Sequence, residues 1–295
     1  MSYFFCVTVL EVIQRSTEFL SRKGVDSPRL QVELLLAHLL NMPRLKLYLN
    51  FERALSAAEL DALRDSVKRR AGREPLQHIL GSTSFCGLEI GVNCDVLVPR
   101  PETELLAERG WQFLKSLVVE AGSPPMALDF GTGSGCIAVA LAVQAPSARV
   151  VAVDDSPPAL TAARENATRL QVADRIEFLR GSSVDAPAPD LCFDLIISNP
   201  PYIPTDEIAT LSPEVRDFDP RMALDGGEDG LQFYRMLASQ APPRLRSGGK
   251  VMVEFGDEQA DAVRSIFENA GWRIESIEND LSGRPRILIA VLAER

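Results

Sequence analysis

Two short stretches of this chain hold the residue types that chemistry needs: Leu128-Asp129-Phe130-Gly131-Thr132-Gly133-Ser134-Gly135 and Asn199-Pro200-Pro201-Tyr202. Glycines let a backbone turn sharply and approach a ligand, and such loops join strand to helix in nucleotide-binding sheets. Asp154 ends the next apolar run, Val150-Val151-Ala152-Val153, 23 residues after Gly131. That is close to the roughly 20 residues expected for a carboxylate that reaches ribose hydroxyls. Gly135 comes one residue too early for the dinucleotide pattern G-x-G-x-x-G, and the Asp129 carboxylate would repel a pyrophosphate. S-adenosylmethionine has no phosphate and carries an ammonium group, which Asp129 would attract. The loop therefore predicts S-adenosylmethionine, with S-adenosylhomocysteine as product. Asp129, Gly131, Thr132, Gly133, Ser134, Gly135 and Asp154 are the expected cofactor-binding residues, and Asp155 is read as facing solvent.

Phe193-Asp194-Leu195-Ile196-Ile197-Ser198 reads as a buried strand that runs into Asn199. The two prolines donate no hydrogen bonds and fix their φ angles, so the Asn199 side chain and the Pro200 carbonyl can be held as acceptors. An NH2 group needs two acceptors. Fixing both of its hydrogens turns the nitrogen lone pair toward a methyl sulfonium, a positioning effect that lowers a barrier. Tyr202 offers a flat wall to a planar amide or base, and Pro201 completes the substrate-binding set. Such a turn can simply end a strand, but this one follows the fourth strand of a sheet whose first strand carries the glycine loop. Asn199, Pro200 and Tyr202 are the expected catalytic residues, with no general base obviously required. The acceptor stays open at this point among adenine N6, cytosine N4 and a glutamine amide.

The elements around these loops follow from periodicity. Apolar residues recur at helical spacing through residues 1–75, for example Leu30, Leu34, Ala37 and Leu40, and Ser56 with Glu59 reads as a capping box. The spacing predicts a helical N-terminal domain over 1–75 and a β-hairpin linker over 76–98, where glycines punctuate short β-like pieces. A catalytic domain over 99–295 opens at Pro101 as a helix, since proline suits the first helical position. There, strands and helices alternate after Ser123-Pro124-Pro125, which means an α/β fold with a mostly parallel sheet covered on both faces.

Composition narrows the function classes. The 295 residues carry a formal net charge of −10, and residues 1–95 are near balance with 12 basic and 11 acidic side chains. The remainder holds 19 and 30, which disfavours a stable grip on nucleic acid through its phosphates. Cys6, Cys86, Cys94, Cys136 and Cys192 are odd in number and scattered, so neither a disulfide framework nor a metal cage is expected, and a reducing cytoplasm is the expected home. His38 and His78 are the only histidines, and His38 reads as a packed helix residue. The apolar start, Tyr3–Leu10, lacks a basic leader and a cleavage site, and no stretch reaches the roughly 18 uncharged residues of a membrane span.

At this point the chain resembles the peptide chain release factor N5-glutamine methyltransferases, the HemK/PrmC family. The likeness runs from about Gln31 to the end. It includes Gln31–Leu40, Pro75–Gly81, Val98–Glu104, Asp129–Gly135, Asn199–Tyr202, Ala223–Leu231, and Gly248–Lys250 with Glu254. The resemblance implies a Rossmann-like seven-strand S-adenosylmethionine-dependent methyltransferase sheet with an antiparallel last strand. It also implies a small helical N-terminal domain for substrate recognition. Gly131–Gly135 and Asp154 would hold the cofactor beside Asn199, with Ser183 at the adenine position. Asn199–Tyr202 would receive the glutamine of the Gly-Gly-Gln motif in a release factor. The competing expectations are a glutamine in a ribosomal protein, a nucleic-acid base amino group, and a non-catalytic cofactor-binding protein. Gly181-Ser182-Ser183-Val184 departs from the family, whose members often place an acidic residue and a large apolar one there. Asp219-Pro220 replaces the usual Glu-Pro, and Arg100 is read as either a substrate-facing lip or a surface arginine at the start of a helix.

Overall fold

A computed structural model describes residues 7–118 and 123–293, so the Tyr3–Cys6 part of the aromatic start lies outside the described residues. The chain forms two compact units, Met1–Gly81 with Ser212–Phe218, and Ser82–Leu211 with Asp219–Arg295.

The first unit contains α1 (Val9–Arg22), α2 (Pro28–Leu39), α3 (Arg44–Leu47), α4 (Ala57–Ala71) and α5 (Leu76–Leu80). Capping boxes start its two longest helices: Thr8 with Glu11, and Ser56 with Glu59 as the sequence predicts. Ile13, Leu20, Leu36, Leu47 and Leu63 meet in its core. The buried stripe of α2 runs through Val32, Leu35 and Leu36, while Leu30 and His38 are exposed. The expected packing of His38 is therefore corrected, since two residues past Leu36 turns its side chain about 200° away. Ser212–Phe218 belongs to this unit because Glu214 pairs with Arg70 at 2.8 Å and Arg73 at 2.7 Å.

The second unit begins with β1 (Ser82–Phe85) and β2 (Leu88–Gly91), paired antiparallel. The segment 76–98, expected to be a hairpin linker, thus opens with helix α5 and holds strands only within 82–91. Gly81 at φ +77° gives α5 a left-handed cap, which stops the helix and frees the chain to extend. Phe85 and Ile90 are fully buried in the core of this unit, and the Gly91 N–H donates to Asn166 Oδ1 at 2.8 Å. There follow α6 (Pro101–Ser116), β3 (Met126–Phe130), α7 (Cys136–Gln144), β4 (Arg149–Asp154), α8 (Pro157–Arg169), β5 (Ile176–Arg180) and β6 (Phe193–Ser198). The chain returns to the first unit as α9 (Pro213–Arg216). It then completes the second with α10 (Gln232–Gln240), β7 (Leu245–Glu254), α11 (Ala260–Asn269), β8 (Trp272–Asn279) and β9 (Pro285–Leu292).

The seven strands run in the order β5-β4-β3-β6-β7-β9-β8, and β9 is antiparallel to both of its neighbours. This is the Rossmann-like α/β sheet expected. One core lies against α6, α7 and α8 and a second against α10 and α11, so every residue of β3 is buried between helical layers. From β3 the chain winds outward to β4 and β5, and from β6 the other way to β7. Open α/β sheets bind ligands outside the carboxyl ends of strands at such a reversal. Those ends are Phe130 and Ser198, where the two chemical loops begin.

Candidate active site

Gly131, Gly133 and Gly135 have φ values of +72°, +53° and +78°. A side chain is strained in that left-handed region, which is why the loop is spelled with glycines. Gly135 is also packed tight, since a Cβ there would sit 2.9 Å from the Cβ of Ala163 on α8. The N–H groups of Gly131 and Thr132 donate to the Val153 carbonyl at 2.9 and 3.0 Å, and the Gly133 N–H donates to Asp154 Oδ2 at 2.8 Å. Asp154 Oδ1 accepts from the Ser156 N–H at 2.9 Å. Burial raises the Asp154 carboxyl above its ordinary range, against the pull of these donors.

A cavity of about 350 Å³ opens between Gly131, Gly133 and Asp154 on one side and Asn199 and Pro201 on the other. Its size suits a small molecule, for which sites of about 300–1,000 Å³ are usual. Thr132, Ser134 and Gly135 are buried beneath the loop, off the cavity wall. Asp129, also expected at the cofactor, does not line the cavity either. Its carboxylate is fully buried and accepts from Thr132 Oγ1 at 2.6 Å and from the Ala138 N–H at 3.1 Å. The N–H groups in the first turn of α7 draw it under the loop, and its Oδ1 has no hydrogen-bond partner. Burial pushes this carboxyl up to about 7. Gly181 and Ser182 also line the cavity, while Ser183 uses its hydroxyl to accept from the Asp185 N–H at 3.2 Å. Ser182, one residue before the expected Ser183, is thus the serine of this segment that lines the cavity. Asp155 is exposed as read, and it also borders the cavity while pairing with Arg180 at 3.5 Å.

On the second loop, Asn199 Nδ2 donates to Thr103 Oγ1 at 2.9 Å, which leaves its Oδ1 as the unengaged acceptor. Pro200 is buried, and Tyr202 packs into the second core with its carbonyl accepting from Gln259 Nε2 at 2.9 Å. Burial pushes the Tyr202 hydroxyl up to about 12, so it stays protonated. Of the four residues, Asn199 and Pro201 reach the cavity wall. A strap braces the loop from behind: the Ile203 N–H donates to the Leu224 carbonyl at 3.0 Å and the Gly226 N–H to the Ile203 carbonyl at 2.8 Å. A Cβ on Gly226 would lie 2.8 Å from both the Pro201 carbonyl oxygen and Tyr202 Cα.

Sequence reasoning missed the roles of this strap, of Thr103 and of Glu254, although all three fall inside the blocks shared with the family. Glu254 ends β7, is 2% exposed, and has its carboxyl pushed up to about 7 by burial. Arg100 pairs with Asp219 at 2.9 Å; burial moves that carboxyl up to about 6 despite the guanidinium. Among the described residues, no three His, Cys, Asp or Glu side chains converge as metal ligands.

Comparison with known proteins places this arrangement. Residues 11–81 match the PrmC N-terminal domain and residues 109–211 the methyltransferase small domain. A release factor glutamine methyltransferase of Geobacter sulfurreducens is 44% identical over 281 residues, 95% of each chain. Another, from Chlorobaculum tepidum, is 42% identical over 263 residues, 88% of this chain and 89% of its own. A methyltransferase structure from Pyrococcus furiosus shares the fold, with a TM-score of 0.50 at 21% identity over 69% of this chain and 88% of that one. With both units matched and the likeness running nearly end to end, the chain belongs to the release factor glutamine methyltransferase family.

Proposed function

We infer that this chain transfers a methyl group from S-adenosylmethionine to the side-chain amide nitrogen, N5, of the glutamine in the Gly-Gly-Gln motif of peptide chain release factors. Family membership supports the enzyme class, and one observation carries the chemistry. Asn199 stands at the cavity with its Nδ2 committed to Thr103 and its oxygen free to accept.

When bound, S-adenosylmethionine supplies an electrophilic methyl group. Gly131, Gly133 and Asp154 would hold it, with Asp154 accepting from ribose hydroxyls and Ser182 at the adenine side. An amide nitrogen is a poor nucleophile because its lone pair is delocalised, so the loop's task is orientation. Asn199 Oδ1 and the Pro200 carbonyl accept the two N–H bonds of the glutamine amide and turn its nitrogen toward the methyl group. Tyr202, with Pro201, stiffens that loop against the second core. The nitrogen that has gained the methyl group is strongly acidic and sheds its proton to water, so no side chain has to act as a base.

Release factors are the proposed partners, with no stable nucleic-acid binding, in keeping with 19 basic against 30 acidic residues after position 95. Among the described residues no helix is long and apolar enough to cross a membrane, and Cys86, Cys94, Cys136 and Cys192 are free thiols. We place the enzyme in the cytoplasm, working without a metal. The test is incorporation of labelled methyl into a purified release factor. The wild-type chain should label it, and Asn199→Ala should cut turnover by about a hundredfold or more while the thermal midpoint stays near wild type. Equal turnover by the two would remove Asn199 from the chemistry.

A further inference from the structure

Thr103, Asn199 and Glu254 reach one spot from three elements: the first turn of α6, the loop after β6 and the last residue of β7. Parallel pairing of Ser198 with Val253 sets Asn199 level with Glu254. Asn199 Nδ2 donates to Thr103 Oγ1, both side chains act on the Glu254 carboxyl, and Glu254 Oε2 is buried with no hydrogen-bond partner among the described residues. Thr103 and Glu254 are each 2% exposed. No cation among the described residues pairs with Glu254; Arg286, which faces it from β9, pairs instead with Asp280 at 3.4 Å and Asp257 at 3.9 Å. Burying a carboxyl without a counter-ion opposes folding, and an apolar residue would fill this place without that cost. What the carboxyl gains is contact with the two side chains that set the reacting loop.

We propose that Thr103 and Glu254 are positioning residues that lock the Asn199 amide in one of its two flips, nitrogen inward and oxygen toward the acceptor nitrogen. The proposal rests on the methyl-transfer reading above. An asparagine amide has nearly the same shape in both flips, but the wrong one would present N–H donors to a substrate NH2 group. Thr103 alone cannot choose, because a hydroxyl donates to Oδ1 as readily as it accepts from Nδ2. An ionised carboxylate can choose, because it only accepts. With Glu254 charged, the Thr103 hydrogen points to Glu254, and the Thr103 oxygen is left to accept from Asn199. Protonation removes that direction, since Glu254 then donates and the Thr103 hydrogen is released toward Asn199 Oδ1. The groups facing Glu254 are Glu102 from α6, Tyr202 after β6, Tyr234 from α10 and the cation Arg286 from β9. Tyr234 uses its hydroxyl on the Glu254 backbone carbonyl, at 2.9 Å. Burial puts the switch near neutrality, with protonation at about 7.

The test measures single-turnover methyl transfer to a release factor by the full chain across acid and alkaline pH, with both substrates saturating. Wild-type turnover should fall as pH drops through about 7. Glu254→Gln should lose that acid limb and run about tenfold slower than wild type at alkaline pH. Thr103→Val should lose about ten- to a hundredfold in kcat with KM and cofactor affinity held within about twofold, and Thr103→Ser should restore most of it. A second readout needs no turnover. In protein with nitrogen-labelled asparagine, the Asn199 NH2 protons, identified by their loss in Asn199→Asp, should exchange slowly in wild type and Thr103→Ser and fast in Thr103→Val. If Thr103→Val does not fold, Glu254→Gln and Thr103→Ser carry the same comparisons. The proposal is overturned if Glu254→Gln keeps the wild-type limb and rate, if Thr103→Ser is as slow as Thr103→Val, or if the Asn199 protons exchange fast in wild type. A wild-type chain that labels no release factor would refute the methyl-transfer reading instead, and the exchange experiment would still decide the flip.

Discussion

Asp154 has both oxygens engaged by backbone N–H groups, Gly133 on one side and Ser156 on the other, before any ligand arrives. Removing it should loosen the glycine loop as well as the proposed ribose contact. Asp154→Ala should weaken S-adenosylmethionine binding by about 1.5–3 kcal/mol, and unchanged affinity by calorimetry would take the residue out of the site. Its distance from Gly131 made it legible in the sequence. Asp129 was legible as a position but not as a direction, because residue spacing says nothing of the N–H groups in α7 that draw its carboxylate beneath the loop. That burial has a sign. The folded state holds a proton on Asp129 up to about 7, whereas an unfolded chain releases it near 3.8, so stability falls as pH rises through that window. Asp129→Asn should flatten the decline of the thermal midpoint between those limits. An unaltered slope in melting scans would show that the carboxyl does not titrate there.

At the scale of elements, the reacting loop is as rigid as the strap behind it. Leu224 and Gly226 clamp Ile203 through backbone bonds, and Gly226 leaves no room for a Cβ against the backbone of Pro201 and Tyr202. Gly226→Ala must displace one of the two, at a cost of about 1–3 kcal/mol for an overpacked site. Because the displaced backbone directly follows Pro200, whose carbonyl is the proposed acceptor, kcat should fall by about tenfold or more with cofactor affinity unchanged. Calorimetry beside turnover separates that outcome from general destabilisation, which would weaken both. Alternating strands and helices were readable from periodicity, since each buried strand of this sheet is a short apolar run. The strap was not, because the segment has no period and its bonds join residues about 20 positions apart in sequence. Gly81 shows the same limit in the other direction: a glycine read as part of a hairpin turns out to cap a helix.

The whole molecule combines a helical unit with a methyltransferase sheet, and the sheet's point of reversal brings the two chemical loops to one cavity. That convergence follows from strand order, which sets β6 directly beside β3 and which residue spacing alone does not give. The return of Ser212–Phe218 to the helical unit depends on Glu214 meeting Arg70 and Arg73, some 140 residues away along the chain, and no local pattern announces it. The acceptor is likewise a property of the whole, because the four-residue loop fits any planar NH2 group and only the full-length family match singles out a release factor glutamine. The direct measurement is tandem mass spectrometry of a release factor incubated with this chain and labelled S-adenosylmethionine, beside the same factor with its Gly-Gly-Gln glutamine changed to alanine. One methyl group should appear on that glutamine's side chain and none on the altered protein. Equal labelling of the two proteins, or a methyl group on any other residue, would contradict the glutamine assignment.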